Sequence, residues 1–272
     1  MKSDCVGFIG GGHIAEALIR GITASGYVDA GKIIVSDADG KKLQRLEKAV
    51  GTRPADNNTH AASQAGILFL AVKPGQISEV ADEIAGVLDE NVFVISVAAG
   101  KLLGSIKEHL NGHKNTCRIM PNLAASVGRG TIGLFAEKEH TGKSLAAVWS
   151  LLSSVGEVLR IEDEKLMTTV TALSGSAPAY YVMMADALVR FAVSQGMDES
   201  LAREMVLSTM EGSACWASDS ETPLGELWRD VVTPGGTTEA GVKYYDEKKF
   251  IETFVEGLRR AAEKAAKLSD TE

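Results

Sequence analysis

The fold class this sequence predicts is α/β: an N-terminal, Rossmann-type, mostly parallel sheet over residues 1–162 and a C-terminal all-helical dimerisation domain over 163–272. Three observations predict it. Short apolar runs alternate with helix-patterned stretches as far as residue 161, a glycine-rich turn follows the first run, and helical periodicity takes over beyond Glu162. Strands alternating with helices are the mark of a parallel sheet covered on both faces.

The elements follow in order. Cys5 to Ile9 reads as a buried strand ending at Gly10-Gly11-Gly12, after which Ile14, Ala17, Leu18 and Ile22 recur at helical spacing up to Gly26. A strand at Lys32 to Ser36 leads into a polar helix from Gly40 to Ala49, and Thr52 to Ala55 is a weaker third strand. Ile67 to Val72 is a buried strand stopped by Lys73-Pro74-Gly75, and Val92 to Val97 repeats the pattern before Ala98-Ala99-Gly100. Strands at Thr116 to Met120 and Thr131 to Phe135, a helix at Thr141 to Leu152 and a strand at Glu157 to Ile161 complete the first half. The second half reads as helices at Asp163 to Leu173, Ala179 to Gln195, Glu199 to Ala217, Pro223 to Arg229 and Glu247 to Leu268. Apolar faces at Ala179 to Val193 and Met205 to Trp216 have little sheet to cover them, which predicts an obligate homodimer.

Composition removes other classes of function. A chain of 272 residues with 45% apolar and 24% charged residues is a globular protein, and a net charge of −8 opposes nucleic-acid binding. Three widely spaced cysteines form no C-x-x-C pair, and His13, His60, His109, His113 and His140 show no metal-ligand spacing, so no metal is expected. No long apolar segment suits a membrane or a secretory signal, and the expected location is cytoplasmic. Ser174-Gly175-Ser176 follows a helix and lacks G-x-S-x-G, which argues against a hydrolase nucleophile.

Gly10-x-Gly12-x-x-Ala15 opens a helix directly after a strand. Gly10 permits the tight turn, Gly12 keeps no Cβ in the way of a pyrophosphate, and Ala15 allows close helix packing. The helix N-terminus at His13 and Ile14 then offers N–H groups to phosphates, which points to NADH or NADPH. Ser36 and Asp37 end the second strand, where a carboxylate accepts ribose hydroxyls and favours NADH, with Lys41 and Lys42 close enough in sequence to answer a 2′-phosphate. Asp37 also has a plain reading as a turn or capping carboxylate, and His13 reads equally as a phosphate ligand or a turn cap.

Phe8 to Leu18, Leu70 to Pro74, Ser96 to Gly100, Arg118-Ile119-Met120-Pro121-Asn122, Leu173 to Tyr180 and Val232 to Thr238 together resemble the pyrroline-5-carboxylate reductases, over about residues 5 to 265. The last two segments discriminate, since general dinucleotide dehydrogenases lack them. The resemblance implies an NADH- or NADPH-dependent oxidoreductase that reduces the C=N bond of 1-pyrroline-5-carboxylate to L-proline, the last step of proline biosynthesis. It also implies a helical domain that interlocks with a second copy, an active site formed between subunits, and pentamers of dimers. His13 and Ala177 depart from the family, which usually carries Asn and Gly there.

The site residues follow from that likeness and from the chemistry. Cofactor contacts are expected from Gly10, Gly12, His13, Ile14, Ala15, Ser36, Asp37, Ala71, Val72, Lys73, Pro74, Ala98, Ala99, Gly100, Met120 and Asn122. A cyclic imine with one carboxylate needs an anion anchor and a polar group beside its nitrogen. Thr233-Pro234-Gly235-Gly236-Thr237-Thr238 supplies both on this reading: Thr233 Oγ and the N–H groups of the glycine turn, Gly235, Gly236 and Thr237, hold the carboxylate, and Thr238 Oγ orients the nitrogen. Ser174 and Ser176 are placed on a loop that closes the substrate cleft, and Lys73 adds positive potential near the nicotinamide, unless it is an ordinary turn lysine. Two rivals stand beside this reading: a β-hydroxyacid dehydrogenase or other imine reductase, for which Lys165 is the available proton donor, and a non-catalytic redox sensor.

Overall fold

β1 (Val6–Ile9) forms where four consecutive residues are all buried, as a strand covered on both faces requires. The computed structural model describes residues 4–137 and 143–268. The same uninterrupted burial recurs in β2 (Ile33–Ser36), β4 (Ile67–Leu70), β5 (Phe93–Ser96) and β6 (Thr116–Met120), with a short exposed β3 (Arg53–Pro54) at the edge. With β7 (Gly130–Phe135) and β8 (Gly156–Arg160) they make an eight-stranded sheet in the order β3-β2-β1-β4-β5-β6-β7-β8. The chain leaves β1 toward β2 and β3 on one side and returns to β4 on the other. That reversal puts a crevice outside the carboxyl ends of β1 and β4, where open α/β sheets take ligands. Phe8 and Phe69 stack at 4.5 Å between ring centroids across this central pair.

One pairing departs from the parallel pattern. β6 and β7 are antiparallel, while β7 and β8 run parallel to each other. The cause is the length of the connection: a 3₁₀ turn at Leu123–Val127 joins β6 to β7, far too short for the dozen or more residues of a crossover. Between β7 and β8 the chain has room for α6 (Lys143–Ser153). Thr141 and Gly142, expected to begin that helix, lie outside the described residues.

The helices of the first half are α1 (His13–Ala24), α2 (Gly40–Val50), α3 (Asn58–Gln64), α4 (Ile77–Ala85) and α5 (Leu103–His109). α1 packs so closely on the Leu123–Val127 turn that a Cβ on Gly21 would collide with the Ala125 carbonyl. Cys117 is fully buried, and burial pushes its thiol pKa up, which keeps it unreactive.

The chain divides into two compact units, one running to Pro178 and taking in the chain from Arg260, the other Ala179–Arg259. The sheet ends at Arg160, near the expected boundary, yet the next residues stay with it. Arg118 donates to Glu164 at 2.7 Å, and Asn122 meets Ser174 at 3.4 Å. This stretch is not one helix with a loop behind it. It runs as a 3₁₀ turn (Glu164–Leu166), α7 (Met167–Val170) and a π-helical turn (Thr171–Gly175), closed by the Ser176 N–H on the Thr171 carbonyl at 2.9 Å. Ser174 therefore sits on a helical bulge, a feature with no local sequence signature.

The second unit holds most of α8 (Ala177–Ser194), then α9 (Glu199–Asp219), α10 (Leu224–Leu227), α11 (Thr237–Glu247) and much of α12 (Phe250–Lys267). The helix expected over Glu247 to Leu268 is α12, which begins three residues later because Lys249 takes φ 52° where the chain turns from α11 into it. α8 and α9 leave a groove of ≈ 880 Å³ lined by Tyr181, Leu188, Met197, Met205, Val206 and Met210. Met183 and Phe191 on α8 are 67% and 66% exposed, so this face carries apolar area that an isolated chain leaves in water.

Candidate functional site

Gly10 lies at φ 102°, and a Cβ there would come within 2.5 Å of the Ala71 carbonyl, so only glycine lets the ends of β1 and β4 approach. Gly12 is different. It has ordinary extended geometry (φ −73°, ψ −179°), and a Cβ built on it meets nothing within 4 Å. Its hydrogen faces open space at the N-terminus of α1, which no side chain caps. The leading N–H groups at His13, Ile14 and Ala15 have no partner within the helix, and their partial positive charge suits an anion. His13 is exposed and does not cap the turn. The cradle fits a dinucleotide pyrophosphate on these grounds.

Asp37 is more committed than the sequence suggested. Its Oδ2 accepts the Gly11 N–H at 2.7 Å, its Oδ1 accepts the Asp39 N–H at 2.8 Å, and Lys42 Nζ donates to both oxygens at 3.1 and 3.0 Å. It does not cap α2, since Asp39 does that by accepting the Lys41 N–H. Burial works against the charge, but the Asp39 and Gly11 N–H groups and Lys42 outweigh it and hold the carboxyl below its ordinary range. A lowered carboxyl pKa stabilises the fold fully above the unfolded value of about 4 and ceases to do so as pH falls through the lower folded value. Thermal melts from neutral to acidic pH should therefore show a smaller loss for Asp37→Asn than for wild type, from a lower starting point.

Ser36 is buried and its hydroxyl donates to Asn58 Oδ1 at 2.7 Å, while Asn58 Nδ2 donates to Glu83 at 2.6 Å. The Ser36 side chain is thus occupied in tying β2 to α3. Ala71, Ala98, Gly100 and Met120 are buried at the ends of β4, β5 and β6, with Val72, Pro74 and Ala99 half-buried, and Lys73 is exposed at the entry to a 3₁₀ turn. The expected cofactor residues therefore gather along one sheet edge. Asn122 Oδ1 accepts the N–H groups of Ala124 at 3.2 Å and Thr131 at 3.4 Å, and its Nδ2 reaches Ser174 Oγ, so its amide is largely structural. Ser174 Oγ donates to the Thr131 carbonyl at 3.3 Å, and Ser176 is half-buried beyond the π turn.

In the second unit, Thr233 to Gly236 form a type II turn. Gly235 takes φ 74° at its third position, and the Gly236 N–H closes it on the Thr233 carbonyl at 2.9 Å. This corrects one expectation: the N–H of Gly236 is spent on the turn, and that of Gly235 donates to Glu239 at 3.0 Å. Neither glycine N–H is free to hold a carboxylate. What remains is the N-terminus of α11, capped by no side chain, where Thr237 and Thr238 offer backbone N–H groups and hydroxyls. A Cβ on Gly236 would collide with Thr233 Oγ, which fixes that hydroxyl against the turn. Glu239, overlooked in the motif, pairs with Lys243 at 3.3 Å, and its carboxyl pKa is lowered by the Gly235 N–H first and Lys243 next.

Among the described residues no three or more His, Cys, Asp or Glu are grouped to hold a metal ion, and no helix is long and apolar enough to cross a membrane. His140 lies outside the described residues.

Residues 164–268 match the family model described as pyrroline-5-carboxylate reductase dimerisation, and residues 5–100 match NADP oxidoreductase coenzyme F420-dependent. The pyrroline-5-carboxylate reductase of Haemophilus influenzae is 34% identical over 95% of this chain and 95% of its own. That of Pseudomonas aeruginosa is 31% identical over 99% of this chain and 98% of its own. Among solved structures, a pyrroline-5-carboxylate reductase from Coxiella burnetii is 33% identical with TM-score 0.83, covering 100% of both chains. Plasmodium falciparum pyrroline carboxylate reductase, solved with NADP bound, is 26% identical with TM-score 0.89, covering 97% of this chain and 98% of that one.

Proposed function

The chain belongs to the pyrroline-5-carboxylate reductase family, and we propose that it works with NADH at least as well as with NADPH and uses Thr238 to orient the imine nitrogen. As a member of that family it reduces the C=N bond of 1-pyrroline-5-carboxylate to form L-proline. A bound reduced nicotinamide supplies the hydride.

The observation that carries the site assignment is the Thr233–Thr238 turn: an uncapped helix N-terminus bearing hydroxyls, in a chain that also carries an open dinucleotide cradle. The N–H groups of Thr237 and Thr238 and the Thr233 hydroxyl take the substrate carboxylate, an anion at a helix N-terminus. Thr238 Oγ accepts from the protonated ring nitrogen and fixes its orientation. The imine is already electrophilic once protonated, so no strong protein acid is required. The α1 N-terminus holds the pyrophosphate, and Asp37 beside the adenosine ribose favours the unphosphorylated cofactor. Lys73, exposed at the end of β4, adds positive potential. Residues 163–272 act as the dimerisation and substrate domain, and the exposed apolar faces of α8 and α9 are covered in the homodimer. Five such dimers assemble into a ring, and the enzyme works in the cytoplasm.

Oxidation of NADH and of NADPH with 1-pyrroline-5-carboxylate tests the reading. Thr238→Ala should lower kcat about tenfold or more with cofactor affinity unchanged, since one positioned hydrogen bond is lost. Thr238→Ser should recover most of it, and activity should fall as pH rises past the imine pKa. Full kcat in Thr238→Ala would move the assignment to Ser174 or Ser176.

A further inference from the structure

We propose that Lys42 is the residue that discriminates between phosphorylated and unphosphorylated dinucleotides, because it occupies Asp37 when the adenosine ribose is absent and turns to the 2′-phosphate when NADPH displaces it. This rests on the dinucleotide reading above.

A carboxylate offers about four lone-pair positions. In Asp37 all are taken: one each by the Gly11 and Asp39 N–H groups and two by Lys42 Nζ. The backbone donors belong to the glycine turn and to the approach to α2, so they cannot leave without moving the chain. Lys42 can. Its side chain is 40% exposed, against 9% for Asp37, and a flexible stem lets the ammonium swing while Cα stays on α2. Ribose hydroxyls reach Asp37 only by replacing it.

The displaced cation then differs in value between the two cofactors. With NADH it returns to water. With NADPH a 2′-phosphate stands beside the ribose position, and a released ammonium forms a charge-assisted bond to it. Among the neighbouring cations, Arg45 and Arg20 are both paired with Glu16, at 2.6 and 2.8 Å, and Lys41 is exposed, so the test separates it from Lys42.

The test is binding of NAD⁺ and NADP⁺ to the full-length chain by isothermal titration calorimetry, without imine, for wild type, Lys42→Met, Lys42→Arg and Lys41→Met. Lys42→Met should weaken NADP⁺ about tenfold or more, and NAD⁺ should bind as well as or better than before, since nothing competes for Asp37. Lys42→Arg should keep the NADP⁺ affinity, Lys41→Met should alter neither, and the extra salt dependence of NADP⁺ binding should disappear with Lys42. Equal loss for both dinucleotides, no loss for either, or an NADP⁺-selective loss confined to Lys41→Met would each overturn the proposal. A chain that binds both dinucleotides as described but never turns over 1-pyrroline-5-carboxylate would refute the substrate reading and leave this one standing. A wild type that binds neither would sink both.

Discussion

Glu164→Ala should lower the unfolding free energy by about 3 kcal/mol, a large share of the roughly 5–15 kcal/mol that holds a domain folded. Arg118 is 3% exposed in the middle of β6, and its Nη1 donates to Glu164 Oε1 at 2.7 Å. The same oxygen accepts the Leu103 N–H at 2.6 Å where α5 begins. Among the described residues Arg118 Nε meets no partner, which makes the Glu164 carboxylate the more important to the guanidinium. Removing Glu164 leaves a buried cation and a helix N–H unanswered, whereas water reaches the 21% exposed Glu164 position and keeps the cost below the upper end for sealed pairs. Replacing both partners by apolar residues, Arg118→Met with Glu164→Leu, should recover most of the loss. Urea unfolding of the single and double variants measures it, and a single-variant loss under about 0.5 kcal/mol would show the pair to be dispensable.

That pair marks where reading the sequence reaches its limit. Local patterns carry the strands, since runs such as Ile67–Leu70 and Phe93–Ser96 are apolar without break and only a doubly covered strand buries them all. The turn at Gly10 is equally local, because its steric demand is met by glycine alone. An ion pair between residues 46 apart has no such trace, and neither does the reversal at β7, which depends on the length of a connection. The π turn is a third case: Ser174-Gly175-Ser176 has loop composition, yet the chain inserts an extra residue into a helix there and aims Ser174 at Asn122.

The candidate site divides the same way. Sequence identifies which residues reach the sheet edge and the α11 N-terminus, because Gly, Pro and Thr at fixed offsets set turns and helix entries. It does not show which of their polar groups are already taken. Asp37, Ser36, Asn122, Gly235 and Gly236 all have partners inside the protein, and only the three-dimensional structure separates an offered group from a spent one. Gly12 and the α11 N-terminus stand out by that criterion as places where no side chain among the described residues caps the backbone.

Gly12→Val should weaken binding of both NAD⁺ and NADP⁺ by about a hundredfold or more while the protein stays folded. The separation of the two effects comes from the geometry. At Gly10 and Gly21 a side chain would strike backbone, so substitutions there confound folding with binding. At Gly12 the backbone is in a region open to any residue and the built Cβ meets nothing within 4 Å, so the fold bears only the change of N-cap residue, a cost of about 1 kcal/mol. The open space is where a pyrophosphate would meet the α1 N–H groups, and a branched side chain there separates the two. Losing even two charge-assisted bonds of about 1.5–3 kcal/mol each accounts for the hundredfold. Gly12→Ala should fall between, since one methyl intrudes less. Calorimetric titration with each dinucleotide, beside thermal melts of the free proteins, reads both quantities. If Gly12→Val melts close to wild type and still binds both dinucleotides with wild-type affinity, the α1 N-terminus does not hold the pyrophosphate, and the cradle must be sought elsewhere along the sheet edge.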